Sequence, residues 1–283
     1  MTSLRTNCFP RLHGAWGAAA YAVACAVLFV ASLYVRGNVR THRDDPREIK
    51  RRMVAVSVAA TSLLLVLAAT YDGTACDLSF WALVGVRFDA SAVLRGVAAP
   101  MLLVATLFAG PLLQEYRERD THEVGATRPW WHWSLHELRN VLFAPLFEEI
   151  VFRALACAAL RVGGGWSVAG TVALSSALFG LAHAHHVVHH VLVEHVPLAR
   201  ALLLVGFQFA YTFLFGAFVG YVYVQTGLLL TAFLLHAFCN RMGVPDFGGA
   251  RDDALVGAVY VVGLVAFSLA FTTLTAAVPN PLS

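Results

Sequence analysis

The chain has 283 residues, 59% of them hydrophobic and 13% charged, with a formal net charge of +3 at pH 7. A soluble domain carries about a quarter charged and about half apolar residues, so this composition excludes a disordered protein, a coiled coil, a secreted disulfide scaffold and an ordinary cytosolic enzyme. The positive excess is small and local, and gives no case for nucleic-acid binding. What remains is a polytopic membrane protein of the all-α class, residues 1–283 forming one domain without repeats or linkers.

The first ten residues hold Arg5 and Asn7, and no compact apolar core of a cleavable signal follows them directly. A membrane span needs about 20 mostly apolar residues. Eight stretches qualify, at 14–35, 53–71, 92–113, 141–160, 166–182, 201–224, 228–239 and 255–276, the seventh being short. The loop after the first span carries Arg36, Arg40, Arg43, Arg47, Lys50, Arg51 and Arg52. Basic residues in short loops stay cytoplasmic, so this loop faces the cytoplasm. The amino terminus then lies opposite, and the loops at 114–140, 184–200 and 241–253 share the cytoplasmic side. Segment 77–90, with Phe80, Trp81 and Phe88, suits the opposite interface. Trp130, Trp131 and Trp133, interleaved with His132, suit the cytoplasmic headgroup layer. Small residues along the fifth and sixth spans (Gly180, Ala182, Gly206, Gly216, Ala217, Gly220) favour close helix packing or leave a lateral groove.

Five cysteines (Cys8, Cys25, Cys76, Cys157, Cys239) show no paired spacing. Reduced thiols acting as small hydrophobes are the simplest expectation. Cys239 reads as a packing residue.

Three polar clusters interrupt the apolar runs. The fourth span contains Glu148-Glu149 and Arg153. Ionisable groups at membrane depth are costly, so function is the default reading. Glu149 and Arg153 are four apart, in the favourable acid-before-base order. Glu148 is rotated by about 100° and has no partner on its own helix; it is the available acid. A carboxylate among Phe147, Ile150, Val151 and Phe152 can serve as a general base. The fifth span ends in Phe179-Gly-Leu-Ala-His183, and His185, His186, His189, His190 and His195 follow. The seventh ends in His236-Ala-Phe-Cys-Asn240, which puts imidazole and amide one turn apart on one face. Given the orientation above, all three clusters fall in the cytoplasmic leaflet. One polar chamber explains that shared depth.

Glu148-Glu149-x-x-x-Arg153, Phe179-x-x-x-His183 and His236-x-x-x-Asn240 resemble the signature motifs of the type II CAAX prenyl endopeptidases. These are the Ras-converting enzymes within the wider ABI (CPBP) intramembrane protease group, and the motif contexts resemble the eukaryotic branch. The resemblance covers 139–247. It implies removal of the terminal aaX tripeptide from prenylated Cys-a-a-X proteins such as Ras-like small GTPases. It also implies residence in the endoplasmic reticulum membrane, with the site open to the cytosol. By position it makes Glu148 the general base and His183 a holder of the water. His236 and Asn240 become oxyanion donors, with Glu149, Arg153 and Phe179 in support. No cofactor is implied.

Other chemistries have weaker support. HExxH is absent, because His122-Glu123 and His136-Glu137 lack the second histidine. Zinc could still bind Glu148, His183 and His236. His185/His189 and His186/His190 also have ligand spacing, though a solvated face or contact with a substrate carboxyl terminus fits them better. Ser175-Ser176 has no GxSxG context. Transport is disfavoured, since the ionisable residues crowd into the second half rather than repeating in both. A noncatalytic scaffold would be expected to lose a motif residue, and none is lost.

Overall fold

The computed structural model describes residues 8–12, 14–121, 133–275 and 282; Trp130, Trp131, His132, Arg128 and His122-Glu123 lie outside the described residues. The all-α expectation holds: the described residues contain helices and no strand. We number the helices α1 (Gly14–Ser32), α2 (Pro46–Thr70), α3 (Phe80–Leu83), α4 (Ala90–Leu107) and α5 (Ala109–Thr121). Then come α6, a continuous helical path over 135–163, and α7 (Val168–Ala182), α8 (His186–Leu192), α9 (Leu198–Thr226), α10 (Leu229–Met242), α11 (Phe247–Asp252) and α12 (Ala254–Leu274).

Each of the eight expected spans has a helix. Six helical stretches are long and apolar enough to cross a membrane, among them Val168–Leu192, which joins α7 to α8. Only 11% of the most apolar window of Ala254–Leu274 is buried within the chain. An apolar helix that keeps its side chains outward needs lipid around it. The other two spans differ in kind. At about 1.5 Å per residue, the 14 residues of α10 are too short to cross alone, and α6 is not uniformly α-wound.

Helix starts follow their capping residues. Asp45 accepts from the backbone N–H of Arg47 and Glu48, with Pro46 entering α2. Asp89, Ser167 and Asp253 cap α4, α7 and α12 in the same way. Ser134 and Glu137 form a capping box at the start of α6. Gly227, at φ 62°, ends α9 in the left-handed conformation that glycine adopts without strain. The expected third span does not run on to 113: it stops at Leu107, turns at Phe108, and α5 continues as a polar helix.

The most extensive contact is α7 along α9. A Cβ at Gly180 would meet the Phe209 ring at 2.9 Å, and one at Gly216 would meet Phe179 and Ser176 at 3.3 Å. These two glycines therefore permit close approach, whereas Gly206 faces open space. Helix α6 lies centrally against α1, α2, α7 and α10, and residues Val151–Leu160 are wholly buried.

One expectation fails. Cys8 and Cys76 are joined by a disulfide across 68 residues of sequence. Spacing could not reveal it, because the two cysteines meet only when α1 and α2 pair antiparallel and bring the segment before α1 to the segment after α2. Asp72 N–H donates to the Cys8 carbonyl at 2.9 Å beside it. Cys25, Cys157 and Cys239 are free thiols, as expected. The disulfide and the arginine-rich loop occupy opposite ends of the α1–α2 pair.

Candidate active site

The motif helix α6 alternates two windings. Ordinary α turns at Leu135–Glu137, Ala144–Glu149 and Ala156–Ala158 are separated by π-wound stretches at Leu138–Phe143, Ile150–Leu155 and Ala159–Gly163. Wider π turns recur at functional sites because they re-aim side chains. Here the winding changes directly after Glu149, between the two acids and Arg153.

Glu149 and Arg153 have no exposed surface, and Oε2 of the acid lies 3.1 Å from Nε of the arginine. The Arg153 guanidinium also stacks on the Phe179 ring at 4.6 Å from its centroid and reaches the Gly216 carbonyl at 3.4 Å. The other Glu149 oxygen, Oε1, meets Nδ1 of His236 at 2.7 Å. A carboxylate only accepts, so Nδ1–H of His236 donates to it and the ring is fixed in orientation. Nε2 of His236 then faces Glu148, 3.6 Å from its Oε2. That distance is too long for a direct hydrogen bond and suits a bridging oxygen. The imidazole of α10 is thus wedged between adjacent acids of α6, Glu149 bonding Nδ1 and Glu148 facing Nε2 at 3.6 Å.

His183 closes the other side. Its Nδ1 is 2.9 Å from the Phe179 carbonyl. A carbonyl cannot donate, so Nδ1 carries the proton and the neutral ring keeps its lone pair on Nε2. Phe179 binds the arrangement together, with its ring centroid 5.0 Å from that of His183 and 5.8 Å from that of His236. Phe215 covers His236 from α9 at 4.9 Å.

A cavity of about 230 Å³ adjoins these groups. Glu148, His183 and Asn140 line it, with Phe143 and Phe152 on an apolar wall and Arg43, Arg52 and Arg139 on a basic one. Glu148 keeps 18% of its side chain exposed while Glu149 keeps none, which divides the acids as the sequence suggests. Asn240 sits apart: it is exposed, and its amide donates to the Asn140 carbonyl at 2.9 Å. The structure therefore unites Glu148, Glu149, Arg153, Phe179, His183 and His236 directly, and Asn240 through Asn140.

The histidine pairs with ligand spacing do not act as pairs. Nδ1 of His185 donates to the Ala182 carbonyl at 2.6 Å, and His186 bonds Gln208 at 2.8 Å. His189 and His190 both turn to Glu194, at 3.2 and 2.6 Å. Contact with His190 holds the Glu194 carboxyl below the usual carboxylate range. Ligand atoms of His42, His189 and Glu194 lie within 4.8 Å of one another at this outer surface. Sequence reasoning also passed over Asn140, Phe215 and the π turns. None carries a local signal, since each matters only through what the fold sets beside it.

The family model described as "Type II CAAX prenyl endopeptidase Rce1-like" matches residues 130–242, the segment that builds this site. "CAAX prenyl protease 2" of Homo sapiens is 31% identical over 92% of this chain and 82% of its own length. The chain belongs to the type II CAAX prenyl endopeptidase family. "Probable CAAX prenyl protease 2" of Schizosaccharomyces pombe is 30% identical over 86% of this chain and 87% of its own, and the Arabidopsis thaliana protein named "CAAX prenyl protease 2" is 28% identical over 91% and 89%. No solved structure matches. Membership makes the chain a membrane-embedded endopeptidase, and the similarity to the relatives extends beyond the motifs to most of the helical bundle.

Proposed function

We propose that the chain removes the terminal aaX tripeptide from prenylated Cys-a-a-X proteins, Ras-like small GTPases among them, by a glutamate-activated water. The observation that carries this reading is the half-buried Glu148 carboxylate, beside the cavity and 3.6 Å from His236. Glu148 takes a proton from water as the oxygen attacks the carbonyl of the Cys–a peptide bond. It then passes that proton to the nitrogen of the departing tripeptide. His183, with its Nε2 lone pair, accepts the water's other hydrogen and sets its position. The oxyanion receives hydrogen bonds from His236, whose ring Glu149 orients through Nδ1 at 2.7 Å, and from the amide of Asn240. Preorganised donors in a dry site are worth far more than the same groups in water. Arg153 balances Glu149 and, through it, fixes the His236 ring.

We further propose that the cavity opens to the cytosol from the endoplasmic reticulum membrane. Seven basic residues between positions 36 and 52 support cytoplasmic retention of that loop. Arg139, at the site's edge, bonds Asp44 and the Arg43 carbonyl of the same loop at 2.8 and 3.0 Å. The Cys8–Cys76 disulfide at the far end fits an oxidising lumen.

The test is tripeptide release from a farnesylated CAAX peptide by purified protein, comparing wild type with Glu148→Ala, His183→Ala and His236→Ala. All three should lose release while remaining folded. Full wild-type activity after exhaustive chelation is expected; loss that added zinc restores would instead favour a metal on Glu148, His183 and His236.

A further inference from the structure

The topology rule explains why arginines stay on one side of the membrane, but not why some of them converge. Arg43 comes from the loop before α2, Arg52 from the second turn of α2 and Arg139 from the first turns of α6, and all three line the cavity that holds Glu148 and His183. Arg36, Arg40 and Arg47 meet the topology rule equally well without reaching the cavity.

The charges there are not balanced. Arg139 is fully engaged by Asp44, Asn140 and the Arg43 carbonyl. Glu48 answers Arg51 and Arg52 together, each at 2.6 Å. Arg52 commits its Nε to Glu48, and its two terminal nitrogens make no hydrogen bond among the described residues. The Arg43 guanidinium makes no hydrogen bond or ion pair among the described residues. Three of these guanidiniums (Arg51, Arg52, Arg139) pair with two carboxylates, Glu48 and Asp44, while Arg43 feels Asp44 and Glu194 only at longer range. The surplus positive charge lies on the basic side of a cavity whose apolar wall is formed by Phe29, Leu33, Ile49, Met53 and Phe143 and which also holds Glu148 and His183.

We propose that Arg43 and Arg52 form a subsite for a free peptide α-carboxylate. The inference rests on the function proposed above, because an aaX tail ends in that group. Arginine suits the task, since its planar fork matches a carboxylate in two parallel hydrogen bonds and never loses its charge. An extended tripeptide reaches about 10 Å beyond the scissile bond. Its two apolar side chains would lie along the apolar wall while the acid of α6 meets the scissile end. The site would then recognise a chain terminus rather than an internal peptide segment.

The experiment uses the full chain in phospholipid vesicles and two farnesylated peptides, identical except that one ends in a carboxylate and the other in a carboxamide. Wild type should show a KM about tenfold or more lower for the acid, the scale of hydrogen bonds to a charged group. Arg43→Gln and Arg52→Gln should bring the acid-to-amide ratio towards one, and Arg43→Lys should restore part of it. Arg47→Gln, which removes a charge outside the cavity, should keep the wild-type ratio. Equal KM values for both peptides in wild type, or an unchanged ratio in both glutamine variants, overturn the proposal. Should wild type cleave neither peptide, the protease reading fails. The subsite is then judged by the Kd ratio of the same two peptides, labelled with a fluorophore, and a ratio near one overturns it.

Discussion

Two adjacent glutamates of α6 have opposite environments, and their expected responses to substitution differ accordingly. Arg153 is fully buried against Glu149, so Arg153→Met strands a carboxylate in the core and should destabilise by roughly 3–5 kcal/mol. Thermal unfolding in detergent would show it. Removing both charges with Glu149→Gln and Arg153→Met should recover much of that stability. It should not recover kcat, because the His236 ring loses the carboxylate that orients it at 2.7 Å. Parallel recovery of stability and rate would contradict the positioning role. At the site's edge, burial pushes the Asp44 carboxyl up, but its hydrogen bond and ion pair with Arg139 outweigh this and hold it below the usual carboxylate range. A depressed acid stabilises above its unfolded value and loses that contribution as pH falls through the folded one. Protection of residues 36–45 from hydrogen exchange should therefore fall in acid, and Asp44→Asn should mimic this at neutral pH. The pair is partly exposed, so its worth is below about 1 kcal/mol.

At the scale of elements, most of what mattered was legible as pattern. An apolar run underlies each of the six helices long enough to cross a membrane, and i,i+4 spacing picked out the Glu149–Arg153 pair, whereas Asn240 is exposed and joins the site only through Asn140. The three motifs were expected to share one chamber; Glu148 and His183 line one cavity, and His236 and Asn240 are not among its lining residues. The winding of α6 was not legible, because a π turn has no residue signature of its own; it is stabilised by what surrounds it. Nor was the partner of Glu148, which arrives from α10, 88 positions later. The seat of α10 depends on a tight contact that composition alone does not reveal. Gly85, at φ 84°, accepts from Leu229 N–H through its carbonyl at 2.9 Å, and a Cβ there would lie 2.8 Å from that same nitrogen. Gly85→Ala should cost about 1–3 kcal/mol through strained backbone and reduce kcat by displacing His236. An alanine variant with wild-type melting and rate would show that the contact does not position α10.

For the whole molecule, the disulfide is the feature no local reading could supply. It ties the segment before α1 to the segment after α2, at the end away from the catalytic groups. Closing so long a loop typically stabilises by about 2–4 kcal/mol. Cys76→Ser should lower the melting temperature while leaving KM for a CAAX peptide near its wild-type value, and a large KM change would mean that the two ends communicate. The same geometry orients the proposed reaction. Under the proposed orientation, the basic loops at the cavity would face a reducing cytosol and the cystine at the opposite end an oxidising lumen.

The proposed mechanism turns on proton acceptance by Glu148. The direct measurement is the single-turnover rate of tripeptide release from a farnesylated CAAX peptide by Glu148→Gln, a near-isosteric change that cannot take up a proton. A fall of about 10²–10⁴-fold, the usual contribution of a general base, with unaltered melting and peptide affinity, is the predicted result. Release within a few-fold of wild type would contradict it.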